Sequence, residues 1–118
     1  MILVDTSVWV NHFRRRDPAL PKLLLEGLVG VHPFVTGELA CGSLQDPAGT
    51  LLLLRRLPQT PIATEAEVHH LLDSHKLWGT GLGWIDLHLL AAALISGWSL
   101  WTADIAMSRA AAKLGIAP

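Results

Sequence analysis

Short apolar runs alternate with longer amphipathic stretches along this chain of 118 residues. Ile2-Leu3-Val4 ends at Asp5, the pattern of a short buried strand. Thr6 or Ser7 is placed to cap a helix over Val8 to about Arg14. Asp17-Pro18 is a second start signal, with Pro18 at the first helical position, for a helix to about Leu28. Val29 to His32 reads as a second strand, punctuated by Gly27 and Gly30. Pro33 opens a helix that passes Glu38 and reaches about Cys41. Asp46-Pro47 opens another, Ala48 to Leu57, stopped by Pro58.

In the second half, Thr60-Pro61-Ile62-Ala63 is a short extended link or edge strand. Thr64 and Glu67 form a capping box for a helix reaching Lys76. Trp78 to Gly83 carries three glycines and reads as a loop. Trp84 to Ser96 is a helix, Ser99 to Thr102 a strand, and Ile105 to Leu114 a last helix closed by Gly115. Strands alternating with helices predict an α/β fold with a parallel sheet covered on both faces. With no repeat, low-complexity segment or linker, residues 1–118 are expected to form one domain.

Composition narrows the function classes. Hydrophobic residues are 51% and charged residues 16%, which excludes a disordered chain. The formal net charge is −1, so nucleic-acid binding would rest on local patches or on metal instead of a global basic field. Cys41 is the sole cysteine, which rules out an internal disulfide and a thiolate cage and suits a reducing cytoplasm. The N-terminal run meets Asp5 after three apolar residues and does not read as a signal peptide. The uncharged stretch from Leu87 is broken by turn residues and Asp104, so a membrane span is not expected.

Ten residues are acidic. Asp17 and Asp46 precede prolines as helix caps, Glu65 and Glu67 suit the positive end of a helix dipole, and Glu26 and Asp73 fall among polar neighbours. Asp5, Glu38, Asp86 and Asp104 differ, because each is attached to a segment that wants to be buried. An unpaired buried charge costs roughly several kcal/mol, so such groups are paired, protonated or metal-bound. The arginines cluster elsewhere, at Arg14 to Arg16 and Arg55-Arg56, which favours metal. Asp5 and Asp104 lie at carboxyl ends of strands, where open parallel sheets build their sites. A helix from Asp86 to Ser96 descends roughly 16 Å, and the strand returning to Asp104 climbs about as far, bringing Asp86 and Asp104 to one level.

These pieces, Leu3-Val4-Asp5-Thr6-Ser7-Val8-Trp9, Glu38-Leu39, Trp84-Ile85-Asp86-Leu87-His88-Leu89-Leu90-Ala91-Ala92 and Leu100-Trp101-Thr102-Ala103-Asp104, occur in an order and spacing that resembles PIN-domain ribonucleases. The likeness is greatest to the toxin half of VapBC toxin–antitoxin pairs and covers nearly the whole chain. It implies an α/β/α sandwich with a short, mostly parallel sheet. It also implies that Asp5, Glu38, Asp86 and Asp104 are a catalytic, metal-holding quartet, with Thr6 and Thr102 as supporting hydroxyls. All-oxygen ligands suit Mg²⁺ or Mn²⁺. The implied activity is endoribonuclease cleavage leaving a 5′-phosphate, and the implied partners are RNA, a cognate antitoxin and a second copy of the chain. Two departures stand out: the stretch from Gly42 to Thr60 is short for that family, and Ala103 stands where relatives often carry a basic or amide residue.

Other chemistries are weaker. His69, His70 and His75 lie on a polar helix without a second spaced pair for zinc, and a surface role is expected. His88 is about 200° around the helix from Asp86 at roughly 100° per residue, so it faces away and packs. Cys41 is expected in the core, as are Trp9 and Trp101, while Trp78 and Trp84 flank the glycine loop and are better placed to touch RNA bases. Arg14, Arg15 and Arg16 either track RNA phosphates or form a solvated helix end. The rival from another class is a non-catalytic module of the same fold that binds a partner through its acidic pocket. A DNA flap nuclease of this fold is disfavoured, since no added DNA-gripping segment is present.

Overall fold

The computed structural model describes residues 1–15 and 17–118. Strands β1 (Ile2–Val4), β2 (Val29–Gly30) and β3 (Ser99–Trp101) form a sheet in the order β2-β1-β3, with both pairings parallel. Parallel neighbours need crossovers, which here are helical. Helices α1 (Thr6–Arg15) and α2 (Ala19–Leu25) join β1 to β2. Four more, α3 (Pro33–Ala40), α4 (Pro47–Arg56), α5 (Glu65–Ser74) and α6 (Trp84–Ser96), separate β2 from β3, and α7 (Ile105–Lys113) follows. The arrangement is an α/β/α sandwich around a short parallel sheet, the class expected.

The core follows from the two periodicities. Leu3, Val4 and Leu100 in the strands are at most 1% exposed. Every residue from Leu87 to Ala93 is buried, so α6 has no polar stripe and sits in the core, packed on β3 and α5. Each fully buried leucine contributes about 1.5–3 kcal/mol relative to an exposed one. Gly30 is required by packing: a Cβ there would overlap the Trp98 ring.

Several boundaries differ from the sequence expectation for identifiable reasons. Asp5, not Thr6 or Ser7, sits ahead of the first turn of α1, and its carbonyl accepts the Val8 and Trp9 amides. Helix α2 ends at Leu25 instead of Leu28, because the Leu28 carbonyl is already paired with the Ile2 amide at 2.8 Å beside the sheet. Helix α5 stops at Ser74, two residues early, and Lys76 adopts a left-handed φ of 51°. Residues 60–63 form a link and not a strand, since parallel pairing there is limited to a Val31–Gln59 bridge. The capping box is present, and its bonds from Thr64 hold the Glu67 carboxyl below its usual range.

Cys41 corrects the expectation of a core thiol. It is the residue after α3 and is exposed, because the helix ends there and turns its last residue outward. Trp9 is 1% exposed, whereas Trp101 is only partly buried against the core. Among the described residues no helix is long and apolar enough to cross a membrane.

Candidate functional site

Parallel pairing puts the carboxyl ends of β1 and β3 side by side. Val4 is in register with Trp101, and the Asp5 amide donates to the Trp101 carbonyl at 2.9 Å. The residues that follow, Asp5 and Thr102, therefore meet. Asp5 is 7% exposed, and its carboxylate accepts three hydrogen bonds. The Thr6 amide donates to Oδ1 at 2.8 Å, while the Ser7 and Thr102 hydroxyls donate to Oδ2 at 2.9 and 2.8 Å. Those hydroxyls also accept, Ser7 from the Ala103 amide and Thr102 from the Asp104 amide, both at 3.0 Å. The start of α1 is thus laced to the turn that leads from β3 into α7.

The other three acids reach this edge by separate routes. Asp104 caps α7, its Oδ2 accepting the Met107 amide at 2.9 Å. Asp86 is the third residue of α6, and its Oδ2 accepts the Gly83 amide at 2.9 Å. Both are therefore helix-start residues as well, the role expected of Asp17 and Asp46; Asp46 caps α4, whereas Pro18 and not Asp17 is the cap residue of α2. Glu38, on α3, accepts the Thr6 hydroxyl at 2.7 Å through Oε1. Each of these three keeps one carboxylate oxygen without a hydrogen bond from the described residues.

Electrostatics ties three of them together. The Asp86 carboxyl is held above its usual range, first by burial and then by the charges of Asp5 and Asp104; the Gly83 amide opposes the shift. Thr6 donates one bond from its amide to Asp5 and one from its hydroxyl to Glu38, which joins the fourth acid to the set. Among the described residues no lysine or arginine pairs with any of the four; the ion pair found is His69 with Glu65 on α5. Nor do any three or more His, Cys, Asp or Glu side chains among the described residues lie close enough to hold a metal ion between them. The unengaged oxygens of Glu38, Asp86 and Asp104 are the groups with capacity left for a cation.

A family model for the PIN domain matches residues 2–113. The chain belongs to the PIN-domain family. Two similar relatives, each named ribonuclease VapC32 and each from a strain of Mycobacterium tuberculosis, are 46% identical to it over 118 residues, covering 99% of this chain and 95% of theirs.

Within this PIN domain the structure also shows what the sequence left out. Ser7 was read as a candidate cap, yet it donates to Asp5 and accepts from Ala103. The signal was its position two residues after a strand-end aspartate. His32 was not singled out either. It caps α3, its Nδ1 accepting the Phe34 amide at 2.9 Å, and burial together with nearby His88 pushes its pKa down to about 4. His88 is buried as expected, edge-on to Phe34 and Trp84. Trp78 and Trp84 are exposed, and His69, His70 and His75 lie on or just after α5 at the surface. Arg14 and Arg15 end α1 in solvent; Arg16 lies outside the described residues.

Proposed function

We propose that this PIN domain is a metal-dependent endoribonuclease, the toxin of a toxin–antitoxin pair, with Asp5, Glu38, Asp86 and Asp104 at its centre. The observation that carries the proposal is the convergence of carboxylates at one sheet edge with no basic residue paired to them among the described residues. Charges gathered in this way repel, and a divalent cation relieves that repulsion. The donor set fits: it is all oxygen, and three of its members keep an oxygen open. A cage of three close ligands is not needed for Mg²⁺, which keeps several waters and takes one or two carboxylates plus substrate phosphate. When bound, the cation supplies Lewis-acid polarisation of a phosphodiester and lowers the pKa of water.

The chain's own part is orientation. Asp5 is fixed by three donors, and Asp86 and Asp104 are each fixed by a backbone amide, so their free oxygens are aimed before substrate arrives. In the hydrolysis, water adds to phosphorus, the bond to the 3′ oxygen breaks, and that oxygen leaves as a 3′-hydroxyl. RNA as substrate and an antitoxin as partner are supported by the similarity to ribonuclease VapC32, and a second copy of the chain is proposed beside them. Large apolar side chains at the surface, such as Leu25 at 90% and Ile105 at 68% exposure, are of the kind such protein partners cover.

The non-catalytic reading is favoured by one observation, that among the described residues no three ligating side chains are close enough to hold a metal between them. Cleavage of RNA with Mg²⁺ or Mn²⁺, set against the same assay in chelator, separates the two readings. Asp5→Asn, Asp86→Asn and Asp104→Asn are each expected to lose about 100-fold or more in rate while remaining folded. Full activity in two of the three, or metal-independent binding with no cleavage by the wild type, refutes the nuclease reading.

A further inference from the structure

A small cavity has Thr102 and Ala103, the residues that follow β3, in its lining. Its volume is about 130 Å³, close to that of an apolar cavity of roughly 150 Å³ that admits one benzene ring. Val8, Leu20 and the Trp101 indole give it apolar walls, while Asn11, His12 and Asp17 supply its polar groups. Thr102, which lines the cavity, donates to the Asp5 carboxylate at 2.8 Å, so the two sites share a wall one hydrogen bond thick. Ala103, also in that wall, carries only a methyl group.

The geometry points to this cavity as the pocket for one pyrimidine base, cytosine before uracil, of the nucleotide beside the scissile phosphate. The inference rests on the nuclease reading and adds base selection to it. A phosphate is the wrong occupant, because Asp17 would repel it and the neighbouring acids add to the repulsion. A flat heterocycle is the right one: apolar walls for its faces, with hydrogen-bonding groups for its edge. Asp17 has one oxygen taken by the Ala19 amide at 2.9 Å and otherwise accepts only, which selects a base that donates. The exocyclic amine of cytosine is such a donor. The Asn11 amide makes no hydrogen bond with another described residue, leaving its donor for the ring nitrogen or carbonyl of the same base. A pyrimidine, with one ring, matches the single-ring size of the cavity.

Two readouts test this. In the first, a randomised RNA pool is cut and the new ends are sequenced. Wild type is expected to show about tenfold preference for cytosine at one fixed position beside the cut. Asp17→Asn keeps an oxygen for the Ala19 amide and is expected to shift the preference to uracil; Asn11→Ala, a good helix residue, is expected to flatten it. A wild type that cuts without base preference, or variants that keep its preference, overturn the pocket while leaving the nuclease reading intact. In the second, cytidine or adenosine is titrated into metal-free Asp5→Asn protein and followed by NMR. Cytidine is expected to move the Asn11 amide and Trp101 indole resonances, and adenosine is not. This readout needs no cleavage, so it stands if the nuclease reading fails; equal shifts with both nucleosides, or none, refute the pocket.

Discussion

Replacing Thr102 with valine keeps the shape of the side chain and removes its hydroxyl. Two short bonds go with it, the donation to Asp5 Oδ2 at 2.8 Å and the acceptance from the Asp104 amide at 3.0 Å, together with a longer contact to the Ser7 hydroxyl at 3.4 Å. A bond to a charged group contributes about 1.5–3 kcal/mol and a neutral one about 0.5–1.5 kcal/mol. Ser7 still serves the same oxygen, so Asp5 is weakened and not orphaned. The expected loss is about 2–4 kcal/mol. At roughly 4 °C per kcal/mol for a domain of this size, Tm should fall by about 8–16 °C. Urea melts of wild type, Thr102→Val and Thr102→Ser measure it, and serine, which keeps the hydroxyl, should cost about 1 kcal/mol or less. Repeating the pair in an Asp5→Ala background isolates the contact, with an expected coupling of about 1.5–3 kcal/mol. If valine and serine behave alike, or if the two substitutions simply add, the hydroxyl is not what holds the aspartate and the lacing of β1 to β3 has been misread.

Two further outcomes follow from titrating groups. His32 has its pKa pushed down to about 4 in the fold, against roughly 6.5 when unfolded, so the unfolded chain binds more protons between those values. Stability should therefore fall as pH drops through that window, by roughly 3 kcal/mol in all. His32→Asn retains an acceptor for the Phe34 amide and should lose most of the slope between pH 6.5 and 5 in urea melts; an unchanged slope contradicts the assignment. Asp86 is shifted the other way, so the folded state holds its proton more tightly and stability declines as pH rises from the unfolded value of about 3.9 through the raised folded one. In chelator near neutral pH, Asp86→Asn should melt higher than wild type. On the proposed function, Mn²⁺ at one hundred times its dissociation constant should add about 2.7 kcal/mol to wild type and less to the variant. A variant that melts lower in chelator, together with a wild type blind to metal, makes the acids structural.

Element types were readable because the local signals agreed with the fold. Glu67 three residues after Thr64, Pro47 after Asp46, and Gly97 after Ser96 each mark a helix end by chemistry that acts over one turn. The boundaries that moved did so under long-range forces. Leu28 left its helix because a sheet partner 26 residues earlier in the chain, Ile2, claimed its carbonyl. Cys41 faced solvent because its helix ended one residue sooner than expected. The four acids were legible as acids out of place, and the parallel topology accounts for three of them meeting electrostatically. What sequence could not supply was their hydrogen bonding. Ser7 and Thr102 are 95 residues apart, and nothing local says that both hydroxyls serve one oxygen of Asp5.

That bonding explains how the carboxylates are aimed by the chain's own donors. Asp86 and Asp104 are held by amides at helix starts, groups that every helix leaves unsatisfied and that carry the positive end of its dipole. One oxygen is fixed by the backbone, and the other is turned out by the same constraint. Glu38 stands in the sixth position of α3, where no free amide is available, so its restraint has to come from a side chain. Thr6 provides it from the neighbouring helix, while the next residue, Ser7, reaches back to Asp5. Consecutive hydroxyls on the first turn of α1 thus serve different acids. Valine at Thr6 should free Glu38 and leave Asp5 with all three of its donors, because the bond from Thr6 to Asp5 comes from the backbone. On the proposed function that variant weakens cleavage with little loss of stability, the reverse of the balance expected at Thr102.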